Sequence, residues 1–183
     1  MPSLNLSEND RAVLNSIFNP SQPLGENAFE EDIPELLEDQ EDPQTPFLND
    51  ARALEAEAVR LAEAGDLAAA LTVVDRAIDL LPGRPSGYNN RAQVHRLAGR
   101  DQDALSDLTM AVNLSSGKGR SGVQALCQRG LLYRKTGEDD LAREDFNKAA
   151  SLGSTFAKNQ LVEMNPYAAL CNQMLGEVFA KLK

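Results

Sequence analysis

The 183-residue sequence is poor in the residues that build metal centres and disulfide frameworks. It has one histidine, two cysteines and no tryptophan, and it contains no Cys-x-x-Cys pair, so we expect no zinc or other metal site. Cys127 and Cys171 lie far apart, as in proteins of a reducing compartment, and we expect each to behave as a small hydrophobic residue.

Long apolar runs are also missing. The longest are a few residues, far below the roughly 20 that a membrane span needs, and the chain does not start with a basic region followed by an apolar stretch. We therefore expect a soluble cytoplasmic protein.

Positive charge is scarce, with a formal net charge of −10. Residues 26–46 hold nine of the acids and no Lys or Arg, so the rest of the chain is nearly neutral. These acids are Glu26, Glu30, Glu31, Asp32, Glu35, Glu38, Asp39, Glu41 and Asp42. Nucleic acids and anionic membranes are bound mainly through positive charge, so we expect neither as a partner.

Catalytic motifs are missing too. The sequence has no phosphate-binding loop, no Gly-x-Gly-x-x-Gly, no Gly-x-Ser-x-Gly and no His-Glu-x-x-His. We interpret His95, the lone histidine, as a side chain packed at a helix interface. No catalytic residue and no cofactor is predicted, and a small-molecule enzyme is kept only as the alternative of a different class.

The part of the chain that precedes Asn49 divides into two segments. In residues 1–20, Ser7 to Phe18 has the capping and spacing of a short amphipathic helix, which Asn19-Pro20 ends. Residues 21–48 combine acids with prolines and predict a disordered, flexible linker. The alternative for Ile33, Leu36 and Leu37 within it is a short docking motif.

From about Asn49 the sequence repeats. Gly65, Gly99 and Gly137 recur at nearly equal intervals, and the second interval is slightly the longer. Each glycine is followed at fixed offsets by an alanine, a large apolar residue, a second alanine and a leucine. These positions hold Ala70, Val74, Ala77 and Leu80; Ala104, Leu108, Ala111 and Leu114; and Ala142, Phe146, Ala149 and Leu152. Small residues let two antiparallel helices approach closely, and the large one fills the space between units.

The pattern resembles the tetratricopeptide repeat family, whose unit is a helix-turn-helix. Tyr88, Tyr133 and Arg129-Gly130 fall at its first-helix positions, and Pro82 at its terminal proline. The resemblance implies an all-α solenoid of three repeats, 49–82, 83–116 and 117–154, with capping helices in 155–183. Motifs at 12–20 and 165–172 resemble one member of the family. The departures are His95 for Tyr, Ser116 and Ser154 for Pro, and four extra residues in the loop 115–122.

The family's arrangement implies a concave groove lined by the first helix of each unit. Amides on that face can satisfy the backbone of an extended peptide, and cations at one end can attract its acids. The expected binding residues are Arg52, Asn89, Asn90, Gln93, Arg96, Gln124, Gln128, Arg134 and Lys135. The alternative for each is ordinary solvated helix surface.

Chaperone-binding members of the family clamp a C-terminal carboxylate with Lys, Asn, Asn, Lys and Arg. Here only Asn90 matches: Glu55 and Val59 stand at the first two positions, and Gln124 and Gln128 at the last two. We therefore predict a monomeric, non-enzymatic adaptor that holds a client protein in the groove. A cochaperone that binds a heat-shock protein is the alternative.

The last predicted helix starts at Pro166, which follows Asn165 as cap. We expect its apolar face, with Leu170, Met174 and Val178, to cover the third repeat.

Overall fold

The computed structural model describes residue 39, residues 41–165, and residues 167 and 174, and every regular element among residues 41–165 is an α-helix. This confirms the all-α prediction. The seven helices are α1 Leu48–Glu63, α2 Leu67–Leu80, α3 Pro85–Leu97, α4 Asp101–Ser115, α5 Gly119–Thr136, α6 Asp139–Ser151 and α7 Thr155–Glu163. None of the helices in the described part is long and apolar enough to span a bilayer.

Helices α1 to α6 pack as three antiparallel pairs within one compact unit, Pro34–Ala157. Helix α1 packs on α2, α3 on α4, and α5 on α6, while α2 also contacts α3 and α4 contacts α5. The first helices of successive pairs touch as well, α1 with α3 and α3 with α5. The first helices therefore form a continuous row, which is where the resemblance places a binding face.

The turn inside each pair depends on the repeating glycine. Gly65, Gly99 and Gly137 have φ angles of 85°, 72° and 81°, a region that a side chain makes costly for other residues. At the first turn the Asp66 carboxylate also accepts a hydrogen bond from the Ala69 amide at 3.0 Å, which caps α2.

Each pair closes on a small residue of its first helix and a large residue at a constant sequence offset in its second. The three sets are Ala58 with Val74, Ala92 with Leu108, and Gly130 with Phe146, all buried. The third set has no spare room, because a Cβ placed on Gly130 would lie 2.8 Å from Phe146 Cε1. The largest buried side chain thus faces the residue with no side chain.

A charged link repeats beside this contact in the second and third pairs. Arg91 Nε and Nη2 donate to the two oxygens of Asp107 at 2.9 and 2.7 Å, and Arg129 makes the same two bonds to Asp145 at 2.7 and 2.8 Å. Both carboxylates are buried. A two-bond Arg–carboxylate contact fixes direction as well as distance, so each link sets how the two helices cross.

The structure describes little of the two ends of the chain, for which the sequence predicts helices and a linker. Residues 1–38, with the predicted N-terminal helix and most of the linker, lie outside the described residues. So does most of the predicted helix from Pro166, although Tyr167 and Met174 are helical. Met174, which we expected that helix to bury, is 59% exposed. From Lys158 onward the described residues belong to a second compact unit.

Candidate functional site

Eight of the nine predicted binding residues have solvent exposure on the first helices, and one does not. The open positions are Arg52, Gln93, Gln124 and Lys135, and the half-buried ones are Asn90, Arg96, Gln128 and Arg134. Asn89 is 1% exposed. Its amide Nδ2 donates to the Ser121 carbonyl at 2.8 Å, which ties α3 to the start of α5. Asn89 therefore differs from the expectation, because a buried amide that links two helices is out of a ligand's reach.

Asn90 is already engaged by a buried carboxylate. Its Nδ2 lies 3.4 Å from Glu55 Oε2, and Glu55 also accepts from the Ser86 hydroxyl at 3.0 Å and pairs with Arg84. Glu55 occupies the position where the carboxylate clamp has lysine. The side chain at this position is therefore a buried acid that already bonds Asn90, in place of the lysine that would attract a carboxylate ligand.

The C-terminal ends of α3 and α5 enclose a small cavity of about 150 Å³. It brings together three predicted residues, Gln93, Arg96 and Lys135, with Leu97 and Leu131. Arg96 Nη1 donates to Gln93 Oε1 at 3.0 Å, and Lys135 Nζ donates to Asp101 Oδ2 at 2.6 Å. The positive charge predicted at this end is thus partly neutralised from within the chain.

The middle of α5 is polar but does not form a reactive site. Gln124 is exposed, and Gln128 Oε1 is buried with no hydrogen-bond partner in the part of the chain that the structure describes. Cys127 Sγ lies 3.5 Å from Ser154 Oγ, and burial raises the pKa of its thiol. A neutral thiol is a poor nucleophile. Across residues 41–165 no group of three His, Cys, Asp or Glu side chains has the geometry of a metal site.

His95 lies between α3 and α4 as predicted for a packed side chain. Its Nε2 is 3.6 Å from Asp107 Oδ2, and Nδ1 is buried with no hydrogen-bond partner among the described residues. Burial lowers the pKa of His95 more than the attraction of Asp107 raises it. A neutral imidazole with one orphaned nitrogen serves packing and offers no acid–base pair.

The N-terminal ends of the first helices carry contacts that the sequence analysis missed. The Asp39 carboxylate accepts from the Ser121 amide at 2.9 Å and from its hydroxyl at 2.5 Å. Two residues on, Glu41 accepts from Arg84 Nε and from Arg52 Nη2, each at 2.6 Å. The end of the acidic segment is therefore bound to all three first helices.

These bonds stabilise the ionised form of the Glu41 carboxylate. Burial by itself would raise its pKa, but the hydrogen bonds from Arg84 and then Arg52 outweigh burial, and the pKa of Glu41 lies below its ordinary value. Helical periodicity does not mark Arg84, which precedes α3, or Ser121, which lies in the first turn of α5. The one signal available in the sequence was the run of nine acids without a neighbouring base.

Comparison with known proteins places the sequence among near relatives. It is 51% identical over 177 residues to tetratricopeptide repeat protein 36 of Danio rerio, covering 97% of this chain and 95% of the relative. Identity is 52% over 183 residues to the protein of the same name in Homo sapiens, covering 96% and 95%. The Drosophila melanogaster homologue is 47% identical over 184 residues, covering 99% and 98%. No protein-family model matches the chain.

Solved structures show the same fold. The first tetratricopeptide domain of Spaghetti (RPAP3), bound to the HSP90 peptide SRMEEVD, superposes with a TM-score of 0.57 at 21% identity, covering 66% of this chain and 94% of that one. The tetratricopeptide domain of P58(IPK) gives 0.57 at 30% identity, covering 72% of this chain and 37% of that one. The three helix pairs are thus tetratricopeptide repeats.

Proposed function

Since this chain belongs to the tetratricopeptide repeat protein 36 family, we propose that it is a non-enzymatic adaptor that holds a peptide or domain of a client protein on its first-helix row. The observation that carries the proposal is the row itself. Helices α1, α3 and α5 touch in sequence and expose Arg52, Gln93 and Gln124 to solvent. Such a surface offers both donors and acceptors to an extended backbone.

Site-specific crosslinking tests this proposal. A photoreactive amino acid at Gln93 or Gln124 of the full chain should capture a client from cell extract. Matched positions are Arg76 on α2 and Asn147 on α6, which are also exposed but lie on second helices. Equal capture from all four positions, or capture from the second helices alone, would refute the row as the site.

A heat-shock cochaperone is the second candidate, and the solved structures favour it in one respect. The Spaghetti domain is bound to an HSP90 peptide, and the second domain of human RPAP3 is in complex with an HSP70 peptide. In this chain, however, Glu55 replaces the clamp lysine and already holds Asn90. We therefore infer that any chaperone binding uses contacts other than the usual clamp.

Titration of the full chain with the synthetic peptide SRMEEVD tests whether the chain binds a heat-shock peptide through the usual clamp. The clamp predicts saturable binding that Asn90→Ala abolishes. Our proposal predicts no binding, or binding that Asn90→Ala leaves unchanged. The likeness to the P58(IPK) and Spaghetti domains shows the fold only. Whether this chain binds the heat-shock peptide is therefore decided by this titration.

A further inference from the structure

Among the charged clusters on the described residues, one already holds a peptide segment. We propose that Arg52, Arg84 and Ser121 form a receptor site for an acidic, tightly turned segment of a partner protein, and that Asp39 and Glu41 occupy it as an internal competitor. The inference rests on the adaptor function proposed above and adds the chemistry of the partner and a mode of regulation.

The two acids use the site as a ligand would. They are two residues apart and lie on either side of a tight turn, in which the Glu41 amide donates to the Asp39 carbonyl at 2.9 Å. Asp39 takes two donors from Ser121 of α5, and Glu41 takes one each from Arg52 of α1 and Arg84 at the start of α3. One short segment therefore makes hydrogen bonds to residues of all three helix pairs.

Two of the three receptor residues, Arg84 and Ser121, also make contacts that do not involve the segment. Arg84 also pairs with the buried carboxylate of Glu55, which in turn accepts from Ser86. The Ser121 residue is 4% exposed, and its carbonyl is held by Asn89. A site whose donors are fixed before binding loses less entropy when an acidic ligand arrives.

These residues are separate from the carboxylate clamp. None of Arg52, Arg84 and Ser121 stands at a clamp position, and the site binds side-chain carboxylates within a chain. The expected partner segment therefore carries Asp or Glu at positions two apart and needs no free C-terminus.

Tethering explains why the internal segment would control access. Only six residues separate Glu41 from Leu48, where α1 begins. A short tether gives the internal segment an effective concentration at the site on the order of millimolar. A partner segment must therefore have enough affinity for the site to displace the internal segment at that concentration, or must present several acids at once.

A peptide binding experiment tests the inference without any client. The probe is a fluorescent, end-blocked peptide of residues 38–46, titrated by anisotropy into the full chain and into the double variant Asp39→Asn, Glu41→Gln. We expect the variant to bind it at least about tenfold more tightly than the wild type does, because the internal competitor is removed. A control peptide with Asn and Gln at the two acidic positions should not bind.

Two matched variants locate the site. Asp42→Asn with Asp50→Asn changes the net charge equally at exposed acids and should bind the peptide as weakly as the wild type. Arg52→Met, at a side chain 53% exposed, removes a donor without opening the core and should weaken the peptide's binding to the double variant by about 1.5-fold to fivefold. Circular dichroism confirms that each variant is folded.

Amide exchange gives a second reading. The Ser121 amide lies in the first turn of α5, where a helix supplies no acceptor, so Asp39→Asn should speed its exchange in the full chain. Equal peptide affinity for wild type and double variant, no binding to either, or binding indifferent to Arg52→Met would overturn the inference. The crosslinking experiment would still decide the adaptor function by itself, because its readout positions lie outside this site.

Discussion

Gly130 is the position at which a single methyl group has the clearest consequence. A Cβ there would lie 2.8 and 2.9 Å from Phe146 Cε1 and Cζ, closer than carbon atoms approach without movement. Phe146 is fully buried, so its ring has no open space into which to turn. The equivalent positions in the second pair, Ala92 and Leu108, show the other solution, an alanine against a smaller side chain.

The magnitude follows from two opposed terms. Overpacking a tight core costs about 1–3 kcal/mol, whereas alanine in place of glycine inside a helix gains about 1 kcal/mol. Gly130→Ala should therefore lower the free energy of unfolding by about 1 kcal/mol, or roughly 2–4 °C in Tm for a chain of this size. With Phe146→Leu the overpacking disappears, and the same change to alanine should stabilise by up to about 1 kcal/mol.

A double-mutant cycle measures this change of sign. Urea unfolding of the wild type, Gly130→Ala, Phe146→Leu and the double variant should give a coupling energy of about 1–3 kcal/mol, which is the overpacking term itself. Ala92→Gly is the matched control, expected to destabilise by about 1 kcal/mol or more through lost helix propensity and lost packing. If Gly130→Ala has the same effect in both backgrounds to within about 0.5 kcal/mol, size complementarity is not what sets this pair.

Two further substitutions and one titration test the packing of the repeats. Asp145→Asn should cost about 2–3 kcal/mol in urea unfolding, less than a fully buried pair because Arg129 keeps some solvent contact; no loss would show that packing alone sets the helix crossing. Gly137→Ala should cost about 1 kcal/mol by calorimetry through its positive φ alone, since nothing lies within 4 Å of the added Cβ. The single His95 should titrate in NMR with a midpoint below the ordinary 6.5, because burial outweighs Asp107. The unfolded chain then takes up that proton first, so this group reduces stability as the pH falls below 6.5, and a midpoint above 6.5 would reverse the argument.

Local pattern predicted the helices well because each repeat is specified by short-range spacing. The glycine turn, the two alanines and the large residue between them all lie within one helix pair, where periodicity alone identifies neighbours. For the same reason the pattern predicted that His95 packs at a helix interface. The first-helix face followed from the family arrangement, since side chains three and four apart share a face.

Asn89, the exception on that face, shows that helical spacing does not predict which residues a neighbouring helix pair buries. Asn89 and Asn90 are adjacent, and position alone placed both toward the ligand. Burial depends on what the next pair brings against α3, here the backbone of Ser121 at the start of α5. A bond between residues so distant in sequence leaves no trace in the periodicity of either helix.

The contacts of the acidic segment could not be predicted from the sequence, for a different reason. The composition distinguishes this segment from the alanine-rich repeats, but composition carries no information about where a charged chain lies on a folded surface. Asp39 contacts Ser121, far along the chain in the third pair, and Glu41 contacts Arg84 at the start of the second. Both contacts depend on helix ends that only the packed unit brings together.

The Arg–Asp links, in contrast, could have been found in the sequence. Arg91 and Arg129 stand at the family's leucine position, and each is followed by an aspartate at the same offset that joins Gly130 to Phe146. Equivalent residues of successive repeats occupy equivalent places in the fold, so a pair that recurs at the same repeat positions makes the same contact each time. The first pair has Glu57 at the corresponding place and Val73, not an aspartate, at that offset. A polar pair that recurs at the same positions of two repeats, next to the apolar contact, therefore indicates a link between helices.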